Sequence, residues 1–336
     1  MNKGLTSPPR IGVVGAGVTG SRVVSHLLML GNSILSVTDS NRTKAQQLAD
    51  LYQSAYRTLD VVNQSELIQC KVVVLACGKP HIPLATSLIE AGVNVVSLSD
   101  DLSETVELLD LHNLALARNT TLVVGAAASP GLSALLVNHA RPHFDLIDEV
   151  HVALHGTGGP NCAHQHHDAL AGQSIGWHDD NWIRRPAGSG RELCWFPEPV
   201  GAHDCYRAEM SDPVLLKHAM PELQRITARM SANRRDRFTS RLPMVVPPHA
   251  EGGMGGVRVE VRGWHQKTRR TFVYGVSERI AQIAGCVAGS VAHQLATADT
   301  AEHGVVSLGS RTVLDAEILT LVIQSGIRVH QFVGTK

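Results

Sequence analysis

The sequence predicts an α/β protein: a Rossmann-type doubly wound parallel sheet, then a second α+β domain built on a mostly antiparallel sheet. Three observations carry this. Continuously apolar runs alternate with helical stretches through about residue 140, the pattern of a parallel sheet covered by helices on both faces. A glycine loop follows the first apolar run and opens a helix. Beyond Pro142 the strand-like runs alternate apolar and polar residues, as half-solvated antiparallel strands do.

In order, Ile11–Val14 reads as a buried strand, and Gly15-Ala16-Gly17-Val18-Thr19-Gly20 is the loop. Ser21–Leu30 carries Val23, Val24, Leu27, Leu28 and Leu30 at helical spacing, with Gly31 as the stop. Ser33–Thr38 is a second strand, ending at Asp39, and Thr43–Leu51 a helix. Lys71–Ala76, Val93–Leu98 and Thr121–Val124 are further buried strands, and Ile82–Ala91 is a helix closed by Gly92. In the second half, Asp148–Leu154, Val257–Arg262 and Thr271–Tyr274 alternate as strands. Ile280–Ala296 is a long helix rich in Ala and Gly, suited to close packing, and Asp315–Ser325 is a last helix. The domain expectation is therefore 1–140 for the dinucleotide, 141–300 for substrate and dimerisation, and 301–336 as a helical segment returning to the first domain. A homodimer is expected, because antiparallel sheets of second domains often pair between subunits.

Composition bounds the function. Of 336 residues, 43% are hydrophobic and 18% charged, with 30 basic residues balancing 30 acidic ones. That suffices for a normal core and supplies no footprint for nucleic acid or an anionic membrane. No run is long and apolar enough to span a bilayer, and the start of the chain lacks a signal core. The six cysteines form no CxxC pair, as expected of reduced thiols in the cytoplasm.

The loop matches G-x-G-x-x-G in a strand–loop–helix setting, which gives the pattern its mechanism. Gly15 permits the turn, Gly17 admits the pyrophosphate to the backbone beside Val18 and Thr19, and Gly20 lets helix and strand pack closely. The pyrophosphate rests on free N–H groups at the helix start. Asp39, nineteen positions beyond Gly20, is placed to bind the adenosine ribose and repel a 2′-phosphate. NAD is therefore favoured over NADP. Arg42 is the residue that would instead accept a 2′-phosphate. Ala76, Cys77 and Gly78 end one strand at the cofactor crevice. Ser99-Asp100-Asp101 and Gly125–Gly131 follow two others.

Three segments together resemble the saccharopine dehydrogenase-like oxidoreductases: the glycine loop, the stretch CGKPHIPLATSLIEAGVNVVSLSDD ending at Asp101, and Val123–Leu136 (VVGAAASPGLSALL). The resemblance covers the first domain and implies NAD(P)-dependent chemistry at an amino-acid carbon. It implies that Gly15, Gly17, Gly20 and Asp39 hold the dinucleotide. It also implies that Ala76, Cys77, Ser99 and Pro130–Gly131 surround the nicotinamide. Substrate residues do not carry over.

Candidate chemistry in the second domain lies in His155–Asp168, which contains Asn161, Cys162, His164, His166 and His167. Three readings stay open: a substrate loop with an acid/base histidine, a metal site using His164 with His167 or Asp168, or surface histidines. No metal is assigned, because the spacing matches no metal motif. His203 is a further candidate proton donor. Arg184, Arg185, Arg191 and Arg207 are candidate forks for a substrate carboxylate, with Gly188–Pro197 either a lid over an anionic substrate or a loop packed between subunits by its aromatics. Gly252–Gly256 reads as a hinge or hairpin turn. The expected function is an NAD(P)-dependent oxidoreductase on a small amino acid, imine or related carboxylate. The rival is a dinucleotide-binding sensor or structural protein without redox turnover.

Overall fold

A computed structural model describes residues 8–53, 59–244, 247–298, 302–310 and 312–333. The first domain runs β1 (Arg10–Val14), α1 (Val18–Leu30), β2 (Ile34–Thr38), α2 (Arg42–Gln53), β3 (Leu59–Val61), β4 (Val72–Leu75), α3 (Ile82–Glu90), β5 (Asn94–Ser97), α4 (Leu102–Leu109), α5 (His112–Ala117), β6 (Thr121–Val124) and α6 (Leu132–Ala140). The second runs β7 (Leu146–His155), α7 (Pro160–Ala169), β8 (Gln173–His178), β9 (Asn181–Pro186), β10 (Glu192–Trp195), β11 (Ala202–Arg207), α8 (Asp212–Ala219), β12 (Arg225–Ser231), α9 (Arg234–Thr239), β13 (Met254–His265) and β14 (Thr268–Arg279). The chain closes with α10 (Ile280–Thr297), β15 (Gly304–Ser307), α11 (Thr312–Gln324) and β16 (His330–Phe332).

Among the described residues the strands form two sheets. The first is all parallel, in the order β15-β6-β5-β4-β1-β2-β3. The centres of its buried strands are mostly Val, Ile and Leu because helices cover both faces. The order reverses between β1 and β4, which opens a crevice at their carboxyl ends. The second sheet runs β10-β11-β12-β7-β13-β14-β16, with the β8–β9 hairpin on β12. It is antiparallel except between β7 and β12. The last segment divides itself between the sheets: β15 pairs with β6, and β16 with β14.

Helix α10 clamps the domains by lying against α1 and across the first sheet. Close approach needs small residues. A Cβ on Gly285 would come 2.5 Å from Arg22 Cβ, and one on Gly289 2.7 Å from the His26 ring. In that seam His26 Nε2 meets Ser290 Oγ at 2.8 Å. Burial, reinforced by His293, lowers the His26 pKa to about 4.

Several expectations change. Helix α1 starts at Val18, directly on the loop, rather than at Ser21. Strand β7 is central and paired on both sides, so its polar residues face neighbouring side chains: His151 Nδ1 meets Thr227 Oγ1 at 2.8 Å. Gly255 and Gly256 lie within β13 rather than in a turn. A Cβ on Gly255 would sit 2.5 Å from His155 O, so this end of the ladder excludes larger residues. Within Gly188–Pro197, Glu192–Trp195 form the edge strand β10, which anchors that part of the expected lid to the second sheet.

Candidate functional site

The glycine loop meets the geometry of a dinucleotide cradle. Gly15 has φ +103°, and a Cβ there would lie 2.5 Å from Ala76 O. A Cβ on Gly20 would lie 1.8 Å from Gly15 O. Gly17 differs, because a Cβ on it would meet nothing within 4 Å. Its backbone therefore faces open space at the start of α1, where a pyrophosphate needs access to free N–H groups. Asp39, at the end of β2, accepts from Ala16 N at 2.7 Å and Asn41 N at 2.8 Å. It ties the loop to the start of α2 while lining the same cleft.

That cleft has a volume of about 470 Å³ and runs from Asp39, Ser40 and Lys44 past Gly15–Thr19, Ala76–Gly78 and Ala127–Ser129 to Cys162 and His166. Its outer wall comes from the second domain. Gly158 and Gly159 fold over α1, where a Cβ on Gly159 would touch Val18 at 3.3 Å. Asn161, in the first turn of α7, reaches Gly78 across the cleft. Ile280 and Ala284 of α10 complete the wall.

A second cavity of about 320 Å³ adjoins this one. The two share Asp100, Ser129, Leu154, Gln165 and His166. Asp101, Asp168 and Glu209 add acidity, and Lys79 stands 2.5 Å from Asp101. Burial opposes ionisation of Asp101, but the Glu104 amide and Lys79 win and hold its pKa near 2.

At the junction, Cys162 Sγ lies 3.5 Å from His166 Nε2, and Asp100 Oδ2 lies 3.5 Å from the same nitrogen. Burial works against charge on His166. The Cys162 and Asp100 partners outweigh it and hold the imidazole pKa well above its usual value.

Two buried networks fix the loops beneath. His81 bonds through its ring to Ser97 Oγ at 2.8 Å and Cys77 O at 3.0 Å, and its amide donates to Glu104. Ser99 Oγ donates to the other Glu104 oxygen. Behind the Ala127–Ser129 turn, Asp212 accepts from Ser129 Oγ at 2.8 Å and Ser133 Oγ at 2.6 Å. Complete burial raises the Asp212 pKa to about 6 despite these donors.

The structure sorts the candidates. Gly15, Gly17, Val18, Thr19, Asp39, Ala76, Cys77, Gly78, Asn161 and His166 line the first cleft, while Gly20 braces the turn from inside. Ser99 is spent on Glu104 below the surface, and Pro130–Gly131 shape the turn from behind, against Asp212. Arg42 turns away to Asn63 Oδ1 at 2.9 Å; Lys44 takes the place beside Asp39.

His164 is exposed on α7. His167 is buried against Leu242 O at 3.0 Å. His203 stacks on His155 at 3.8 Å. None of these three lines the cleft or the adjoining cavity. Arg184 and Arg185 are exposed on the β8–β9 hairpin, Arg191 pairs with Asp204 at 2.9 Å, and Arg207 packs on Ser189–Gly190. No arginine reaches either cavity among the described residues.

Asp100 and Cys162 lay in segments already placed at the crevice and in the candidate loop, without a role of their own; for Cys162 the signal was its i, i+4 spacing to His166 on a helix begun by Pro160.

The comparisons agree with this architecture. Residues 10–101 match the family model described as NADP oxidoreductase coenzyme F420-dependent. A search of curated proteins by sequence finds no match. Among solved structures, the apo saccharopine dehydrogenase (L-Glu forming) of Saccharomyces cerevisiae aligns with a TM-score of 0.69 at 13% identity, covering 97% of this chain and 100% of that one. The DAP dehydrogenase of C. glutamicum in complex with DAP aligns at 0.52 and 13% identity, covering 92% and 96%. An engineered D-amino acid dehydrogenase bound to NADP+ aligns at 0.51 and 13% identity, covering 91% and 95%. The chain has a saccharopine dehydrogenase-like fold, and residues 10–101 of its first domain are similar to an NADP oxidoreductase family model.

Proposed function

We propose that the chain is an NAD(P)-dependent oxidoreductase acting on a small amino acid, imine or related carboxylate, with NAD preferred. The observation that carries this is the Asp100–Cys162–His166 cluster, standing where the dinucleotide cleft opens into the adjoining cavity. A bound nicotinamide supplies or accepts the hydride. Gly15, Gly17, Val18 and Thr19 hold the dinucleotide, Gly20 braces that loop, and the Asp39 carboxylate disfavours a 2′-phosphate. Cys77, Gly78 and Ala127–Ser129 bound the far end of the cleft, and Asn161 closes it from the second domain. The cluster polarises or protonates the substrate heteroatom there. The acidic cavity of Asp100, Asp101, Asp168 and Glu209 suits a substrate bearing an amino group.

The test is loss of reduced-cofactor absorbance, with NADH and NADPH separately, over a panel of keto acids with amines. Turnover of at least one pair is expected. Tight dinucleotide binding with no turnover across the panel contradicts the reading and points to a sensor. His166→Gln should lower turnover by about 10²- to 10⁴-fold with little change in dinucleotide affinity. His164→Gln should change neither.

The proposed setting is the cytoplasm, which keeps the six free cysteines reduced. No helix among the described residues is long and apolar enough to cross a membrane. The proposed assembly is a homodimer through edge strand β10, which exposes Leu193 (56%) and Trp195 (58%). A monomer by light scattering contradicts that assembly.

A further inference from the structure

The cluster at the junction of the cavities has a geometry that hydrogen bonding alone does not explain. A Cys–His–Asp relay uses both ring nitrogens, one for the nucleophile and one for the carboxylate. Here the single atom Nε2 faces both partners, 3.5 Å from Cys162 Sγ and 3.5 Å from Asp100 Oδ2. Its one proton cannot make two well-aligned bonds at that distance.

Both separations are instead those of atoms sharing one cation. With bonds of about 2.05 Å to nitrogen, 2.3 Å to sulfur and 2.1 Å to oxygen at a tetrahedral angle, N···S comes to about 3.55 Å and N···O to about 3.4 Å. The three donor atoms all lie within 4.8 Å of one another. They also come from firmly placed elements. Cys162 and His166 are one turn apart on α7. Asp100 sits between Ser99, which is anchored to Glu104, and Asp101, which caps α4 by accepting from Glu104 N.

A second observation points the same way. The adjoining cavity carries Asp100, Asp101, Asp168 and Glu209 against Lys79, which is already paired with Asp101. The arginines that sequence reasoning assigned to a substrate carboxylate lie elsewhere. A substrate carboxylate or carbonyl entering this cavity therefore meets a surplus of negative charge unless a cation is present.

We infer that Asp100, Cys162 and His166 bind a thiophilic divalent cation of the zinc class, with its fourth position open to the substrate. Carboxylate, thiolate and neutral imidazole form a donor set that zinc accepts, and three protein ligands with one open position is the catalytic arrangement. The cation offsets the local acidity and acts as the Lewis acid toward a substrate carbonyl or imine. This role rests on the proposed oxidoreductase reading; the binding does not.

The probe is Co(II), added to the chelator-stripped full chain. One equivalent should bind, giving a thiolate-to-cobalt charge-transfer band and the visible bands of a four-coordinate ion. Cys162→Ser should abolish the charge-transfer band and weaken binding at least about 100-fold, with far-ultraviolet circular dichroism unchanged. His166→Gln should weaken binding similarly. Cys77→Ser, which removes the other thiol lining the cleft, should leave the spectrum intact. Absence of stoichiometric binding, or a charge-transfer band that survives Cys162→Ser, overturns the inference. Turnover of the substrate panel by the untreated chain, measured separately, reports on the oxidoreductase reading, so the two can fail independently.

Discussion

Replacing Gly17 by alanine separates cofactor binding from folding. Gly17 caps α1 with φ −77° and ψ −167°, a conformation any residue adopts, and its Cβ would meet nothing within 4 Å. Alanine is a poorer N-cap than glycine, by about 0.5–1 kcal/mol. It also reduces the freedom of the unfolded chain, by about 0.4–1 kcal/mol in the opposite direction. The two offset, so stability should change by less than about 1 kcal/mol.

The new methyl nevertheless occupies the space a pyrophosphate needs. Losing one backbone hydrogen bond to a charged group costs about 1.5–3 kcal/mol, or roughly ten- to hundredfold in affinity. Urea unfolding and dinucleotide titration read the two quantities separately. Gly20→Ala is the contrast: its Cβ would lie 1.8 Å from Gly15 O, so it should lower stability itself, by about 2–3 kcal/mol. Gly17→Ala with unaltered dinucleotide affinity would refute the assignment of the cradle. A large loss of stability there would refute the reading of its surroundings.

Asp39→Asn removes the charge that opposes a 2′-phosphate and should raise the NADP-to-NAD affinity ratio about tenfold, measured by competitive titration. Gly285→Ala pushes a methyl to 2.5 Å from Arg22 Cβ and should cost about 1–3 kcal/mol by urea denaturation. His26 supplies an acid sensitivity. Its folded pKa, about 4, lies below its unfolded value of 6.5, so the unfolded chain takes the proton first. Stability is therefore full above pH 6.5 and falls as pH drops toward 4. Between pH 7 and pH 5 the wild type should lose about 2 kcal/mol more than His26→Gln, and equal losses would contradict the buried neutral imidazole.

The first domain was legible because its signals are local. Buried parallel strands are largely apolar runs, and of the loop's three glycines Gly15 answers to contact with Ala76, Gly20 to contact with Gly15, and Gly17 to open space. The second domain was harder to read. Its central strand β7 carries Asp148, Glu149 and His151, polar residues whose partners Thr227, Trp264 and Arg269 lie across the sheet and which blur the alternation.

The site was legible only in part, since its pieces are far apart in sequence. Asp100 and His166 meet through tertiary packing, and Ser129 depends on Asp212, 83 residues away. Spacing within α7 was visible, but its Cys162–His166 face meets the loops after β5 and β6, which carry Asp100 and Ala127–Ser129 to the same cleft. His164 and His167 looked equal to His166 in sequence; one faces solvent and the other binds Leu242 O.

The most direct test of the account is a crystal structure with reduced dinucleotide bound. Pyrophosphate should lie against the Gly17–Thr19 amides, adenosine beside Asp39, and the nicotinamide between Ala127–Ser129 and the Cys162–His166 face of α7. A pyrophosphate held elsewhere, or a nicotinamide remote from His166, would contradict it.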